Sequence, residues 1–260
     1  MPRRNPDSAM DLVRRHSAES DFHDKKYGKG EGYPRHYSVN PTFPIYQRML
    51  AMVGDPLGKS VLEYGCGEGW ISKDLALAGA QLSAFDISAE GVSRTRKLLE
   101  NMGVHERSAI EQMEAEKLRY PDNSFDTAIG FAILHHLDLE LAIPELHRVL
   151  KPGGVAFFAE PLGGNPFINL YRRFTPQYRT VDERPLDLRA MRPMLSRFGS
   201  VTHTDYYVTA LAAVALAYLP FGDRVFPTAN RVLMELDDGL LRAFPSLGRL
   251  AWYTILVLRK

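Results

Sequence analysis

The sequence predicts a doubly wound α/β fold on a mostly parallel, seven-stranded sheet with helical lid insertions, and three observations predict it. From residue 60 onward, short β-rich runs alternate with helix-length stretches, which is the order that a parallel sheet with crossover helices requires. The run VLEYGCGEGW passes from an apolar strand through three glycines into a helix, a turn that lets main chain approach a ligand. The second β-rich run ends in an acid, Asp86, at the strand edge where open α/β sheets bind ligands.

Residues 1–40 carry mixed charges, glycines and prolines with little apolar periodicity, so they read as a partly mobile N-terminal arm that can close over a ligand, with Tyr27, Tyr33 and Tyr37 in its second half. Residues 44–53 form a short amphipathic helix with Ile45, Met49, Met52 and Val53 on one side. Strands follow at 60–64, 81–86, 109–113, 125–131 and 155–160, with helices at 70–78, 89–101 and 139–150 between them. Ser88 is the expected N-cap of the middle helix, and Lys151-Pro152-Gly153-Gly154 stops the last one, because proline cannot continue it and glycine tolerates the turn. Residues 161–185 exceed an ordinary βα loop and read as an inserted substrate lid, with Asn165-Pro166-Phe167 as a turn. Residues 186–198 read as helix despite Pro193, and 201–208 and 252–258 as the last strands. The insert at about 210–248 between them holds two helices, 210–219 and 229–243. The chain thus divides into the arm and one domain over 41–260.

At 260 residues, 45% apolar and 24% charged, the chain can bury a full core, and a net charge of +1 offers no field for a polyanion, so nucleic acid is not an expected partner. The single cysteine, Cys66, excludes an intramolecular disulfide and fits a reducing, cytoplasmic setting. No secretory signal is expected from MPRRNPDSAM. The apolar run 209–219 falls short of the ~20 residues that cross a bilayer, which leaves open contact with a membrane surface, a partner or a pocket. Oligomeric state has no signal in the sequence.

A dinucleotide fingerprint needs glycine or alanine at position 70, and Trp70 stands there. The same run instead resembles the first motif, E/D-x-G-x-G-x-G, of the class I, Rossmann-like S-adenosylmethionine-dependent methyltransferases of the small-molecule type, matched by Glu63, Gly65, Gly67 and Gly69. The resemblance implies that the glycine turn passes under the amino acid and ribose parts of S-adenosylmethionine, with Glu63 near its amino group or a bound water. Asp86 has two readings, a bidentate ribose partner or an acid at a helix N-terminus. EAEKLRYPDNSFD is similar to the family's third region; it implies Glu114, in place of the usual aspartate, at the adenine amino group, with Ala115 offering its amide. Asp122, Asn123 and Ser124 read as a structural turn.

GFAILHHLDLELAIPELHRVLKPGG looks like the family's stretch from the cofactor wall to the fifth strand, with Gly130 against the cofactor. Neutral histidine accepts protons near pH 7, so His136 and His135 are candidate bases, or else capping and packing residues. Glu160 either orients one of them or binds a substrate hydroxyl, or pairs with Arg172 or Arg173. Histidines and acids show no paired metal spacing, so no metal is expected. Phe167, Tyr171, Phe174, Tyr178, Tyr206 and Tyr218 are candidate pocket residues. The expected function is methyl transfer to a small, lipophilic metabolite of secondary metabolism. Two alternatives stand beside it, a nicotinamide-dependent oxidoreductase and a catalytically silent S-adenosylmethionine-binding partner subunit that docks through 209–219.

Overall fold

A computed structural model describes residues 6–29, 43–180, 183–216 and 219–260. Tyr33, Tyr37 and Tyr218 lie outside them, as does the side chain of Tyr178. The seven strands are β1 (Ser60–Tyr64), β2 (Gln81–Asp86), β3 (Ser108–Gln112), β4 (Phe125–Phe131), β5 (Leu150–Pro161), β6 (Ser200–Tyr206) and β7 (Tyr253–Arg259). Their order in the sheet is β3-β2-β1-β4-β5-β7-β6, with β7 antiparallel to both neighbours and the others parallel. The predicted strands are all present within a few residues of their expected limits, except that β5 begins earlier, at Leu150.

Side-chain alternation along the strands splits the core in two. Val61, Leu82, Ile129 and Phe157 pack on one face with Ile45 and Met49 of α2 (Phe43–Val53), Ile71 and Leu75 of α3 (Trp70–Leu77) and Leu99 of α4 (Ala89–Asn101). Leu62, Phe85, Ala128 and Phe158 point the other way, onto Ile143 and Leu146 of α5 (Leu139–Val149) and Met191 of α7 (Leu188–Leu195). Each large apolar side chain so buried stabilises the fold by roughly 1.5–3 kcal/mol relative to exposure.

Three segments depart from the sequence reading. Where the arm was expected, residues Pro6–Lys29 form one long helix, α1, packed against α4. Its start is suited to proline at the first helical position, and Lys26 in the last turn suits the negative end. Apolar periodicity misses it because the face turned to the protein is polar and aromatic: His16, Glu19, His23 and Tyr27 recur at helical spacing. Asn165-Pro166-Phe167 is the beginning of α6 (Pro166–Phe174) instead of a free turn. Asn165 accepts from the amides of Phe167 and Ile168, and Pro166 occupies the first turn, where its missing N–H has no partner to lose. The last insert holds α8 (Leu211–Leu216) and α9 (Gly222–Ala243), and α9 runs back through Pro227 where the sequence placed its start after that residue. Buried Asp237 of α9 accepts from the amides of Val208, Thr209 and Ala210 at 2.8–3.1 Å, which fixes α8 beside the sheet edge.

Candidate active site

The C-terminal ends of β1, β2, β4 and β5 open into a cavity of about 670 Å³, within the ~300–1,000 Å³ of small-molecule sites. Between the ends of β2 and β5 lie three strand spacings, a span of ~14 Å. Helix α1 contributes one wall, and α6 and α8 another, the latter through Phe167, Tyr171, Leu211 and Val214. The described part of the apolar run 209–219 therefore packs a pocket wall.

The floor is the glycine turn. Gly65, Gly67 and Gly69 all have positive φ, at 69°, 47° and 81°, which disfavours any residue with a Cβ. Gly65 and Gly67 line the cavity; Gly69 does not, and its approach to Thr95 and Leu98 makes it the packing point between α3 and α4. The turn is tied to β2 by the Cys66 amide, which donates to Phe85 O at 2.9 Å, and by the Gly67 amide, which donates to Asp86 Oδ2 at 2.8 Å. Asp86 Oδ1 accepts from the Ser88 amide at 2.8 Å, and Ser88 caps α4 as expected. Burial raises the Asp86 pKa while these amides oppose it. Since an ionised carboxylate has about four acceptor positions, Asp86 keeps capacity for hydroxyls in the cavity. Glu63 is fully buried and receives the Ser72 hydroxyl. Burial pushes its pKa up to about 8, with that hydrogen bond opposing and Asp86 adding to the rise.

Ala115 lines the cavity, but Glu114 does not: its side chain is 51% exposed and meets His16 Nδ1 at 3.3 Å. The cavity acid of this loop is Glu116, 4% exposed in its side chain, which accepts from the Asp138 amide at 2.9 Å and lies 3.2 Å from His16 Nε2. The backbone path after β3 sets which acid of the loop turns inward, and both Glu114 and Glu116 meet His16. Burial pushes the Glu116 pKa up, but the hydrogen bonds from His16 and the Asp138 amide outweigh it. His16 is raised, first by its hydrogen bond with Glu116 and against burial. A histidine raised in the folded state adds stability in full below its unfolded pKa and loses it as pH rises through the folded value. The melting-temperature advantage of the wild type over His16→Gln is therefore expected to be full in acid and to shrink as pH rises above the unfolded value of ~6.5 and through the raised folded one. An advantage that stays constant across that range would remove His16 as the α1 fastener.

Gly130 is a packing residue and does not line the cavity, since a Cβ there would lie 2.7 Å from both Ile133 and Phe158. The adjacent turn, Leu134–His136, carries both histidines into the cavity. Glu160, fully buried behind them, accepts from the amides of Ile133 and Leu134 through Oε1 at 2.9 and 2.8 Å, and meets His135 Nδ1 through Oε2 at 2.8 Å. Glu160 thus orients His135 and leaves Nε2 on the cavity side, 4.0 Å from Glu183. Burial and neighbouring His136 pull the His135 pKa down against the pull of Glu160. His136 instead meets Glu19 of α1, so the two adjacent histidines have separate partners.

Of the aromatic candidates, Phe167 and Tyr171 line the cavity; Phe174 is exposed, and Tyr206 is buried beneath Arg48. Sequence reasoning missed His16, Glu19, His23 and Lys26, all on one face of α1 and all cavity-lining. Their i, i+3, i+4 recurrence was the available signal. Among the described residues no helix is long and apolar enough to cross a membrane.

Residues 62–158 match the family described as a methyltransferase domain. The chain is 31% identical to the ubiquinone biosynthesis O-methyltransferase of Sodalis glossinidius over 209 residues, 78% of this chain and 80% of that protein. It is 36% identical to the malonyl acyl-carrier protein O-methyltransferase of Erwinia billingiae over 152 residues, 58% of this chain and 54% of the relative. The matched region spans about half the length of that protein, and less of several other curated relatives. In fold the chain is similar to the Haemonchus contortus phosphoethanolamine N-methyltransferase 2 in complex with S-adenosyl-L-methionine, with a TM-score of 0.60 at 15% identity over 83% of this chain and 52% of that one.

Proposed function

Because the chain belongs to the class I S-adenosylmethionine-dependent methyltransferases, we propose that it methylates a hydroxyl oxygen of a small, lipophilic metabolite. The cofactor is S-adenosylmethionine, and the residues present fit it: a Cβ-free turn at Gly65 and Gly67, an adjoining buried carboxylate at Asp86 and a second at Glu63. When bound, it supplies an electrophilic methyl carbon and a neutral thioether leaving group. In this reading Asp86 accepts the ribose hydroxyls, Glu63 supports the turn through Ser72, and Ala115 with Glu116 borders the adenine.

The observation that carries the reading is the His135–Glu160 pair at the β5 end of the cavity. Glu160 fixes Nδ1 as the protonated nitrogen, so Nε2 is the acceptor for the hydroxyl proton, and in-line attack needs that proton gone. His136 Nδ1 faces Glu19 in a similar way, so His136 stands as the second candidate base in this reading. An oxygen acceptor is supported by two relatives that are O-methyltransferases by name. A lipophilic one is supported by the wall of Phe167, Ile168, Leu211 and Val214. The described parts of 1–40, 161–185 and 210–248 are its closing elements in this reading, which excludes water from the reacting atoms. The lone buried Cys66 supports action in the cytoplasm.

Calorimetry with S-adenosylmethionine, S-adenosylhomocysteine and NAD tests the cofactor, with binding expected for the first two alone. A radiolabelled methyl-transfer assay over phenolic, long-chain and strongly polar acceptors tests the rest. Turnover confined to the polar set would sink the lipophilic assignment, and no turnover with any acceptor would favour a silent binding subunit.

A further inference from the structure

Helix α1 brings to the cavity a group of donors that the methyl-transfer reading leaves without a task. Glu19 and His23 are one helical turn apart, on the same face. His136 approaches them from the turn after β4, and one ligand atom from each of the three lies within 4.8 Å of the other two. Glu19 is 4% exposed. Thr180 donates to its Oε1, whereas Oε2 is buried and makes no hydrogen bond of good geometry among the described residues. A buried carboxylate oxygen without a donor is costly and calls for a physical explanation.

The spacing supplies one. Oε2 stands 3.2 Å from His136 Nδ1 and 3.5 Å from His23 Nε2. His136 Nδ1 is also 3.3 Å from Oε1, so it lies astride the carboxylate and is not aimed at one oxygen. Ligands bonded at ~2.0–2.1 Å around a tetrahedral ion are ~3.3–3.4 Å apart, which the two separations to Oε2 bracket. We propose that Glu19, His23 and His136 hold one divalent transition-metal ion of the zinc class at the acceptor end of the cavity. Two imidazole nitrogens and one carboxylate oxygen suit that class and leave a coordination position for a further ligand. Thr180 is the outer hydrogen bond that orients the carboxylate. Glu183, grouped with His135 and His136 in the same way, stands beside the site.

Sequence spacing could not show the site, because the third donor comes from another element far along the chain. Its use follows from the chemistry of the acceptor. A hydroxyl oxygen on a divalent ion is more acidic. The O–H bond breaks with its proton passing to His135 Nε2, an oxygen electron pair forms the bond to the methyl carbon, and the carbon–sulfur pair returns to sulfur.

The test uses the full chain, stripped with a chelator and titrated with Zn²⁺ by calorimetry without cofactor or acceptor. One equivalent per chain is expected, with affinity reduced ~10-fold or more in Glu19→Gln and in His23→Gln. Thermal melts with and without Zn²⁺ control for misfolding: the metal should raise the wild-type melting temperature by more than that of either variant. Absence of stoichiometric binding, or equal binding by wild type and both variants, overturns the site. Because the titration needs no methyl transfer, a chain that binds Zn²⁺ but transfers nothing keeps this inference and loses the functional one.

Discussion

Asp86→Ala is expected to weaken S-adenosylmethionine binding by about two orders of magnitude or more. The carboxylate does two things at once: it accepts the Gly67 and Ser88 amides at 2.8 Å each, which holds the glycine turn against β2 and starts α4, and it keeps acceptor capacity toward the cavity. Hydrogen bonds to a charged group contribute ~1.5–3 kcal/mol each, so loss of two to the ribose costs ~3–6 kcal/mol, or ~10²–10⁴ in affinity. Alanine also leaves two buried amides without acceptors. Asp86→Asn separates the effects, since the amide oxygen can still receive one backbone N–H while the charge is gone. Calorimetry with S-adenosylhomocysteine, alongside thermal melts, reads both. Wild-type affinity in a folded Asp86→Ala protein would place the sugar elsewhere.

Glu160→Gln is expected to lower kcat by ~10²–10⁴ with cofactor affinity nearly unchanged. The glutamine oxygen can keep the Ile133 and Leu134 amides that Oε1 receives now, so the turn carrying the histidines survives. Its NH₂ would then face His135 Nδ1, where a carboxylate stands at 2.8 Å. A donor at that place makes Nδ1 the acceptor and moves the ring proton to Nε2, the nitrogen that must be free to take a proton. The defect is thus one of tautomer, and it appears in kcat more than in binding. His135→Gln should give a similar loss. Unchanged turnover in both variants would remove the pair from the chemistry.

The strand set was legible because each strand is a short apolar run bounded by glycine, proline or an acid, and such signals act over a few residues. Glu63, Gly65, Gly67 and Asp86 were legible for the same reason: a tight turn with positive φ permits few residue types, and the acid stands at the end of its own strand. The helix over Pro6–Lys29 was not, since its inward face is polar and only the cavity opposite gives that face a purpose. The burial of Glu116, two residues beyond Glu114, was not legible either, since it depends on the backbone path after β3.

The amino-acid sequence by itself determined the layered fold, the glycine turn and the identity of the residues at the strand ends. Tertiary structure alone decided that Glu160 meets His135 and not His136, that α1 stands over the cavity, and that Glu19, His23 and His136 converge. The reason is one of range. Propensity and periodicity are properties of neighbouring residues, whereas these contacts join elements far apart in the chain and arise only after the sheet has closed and the helices have packed upon it.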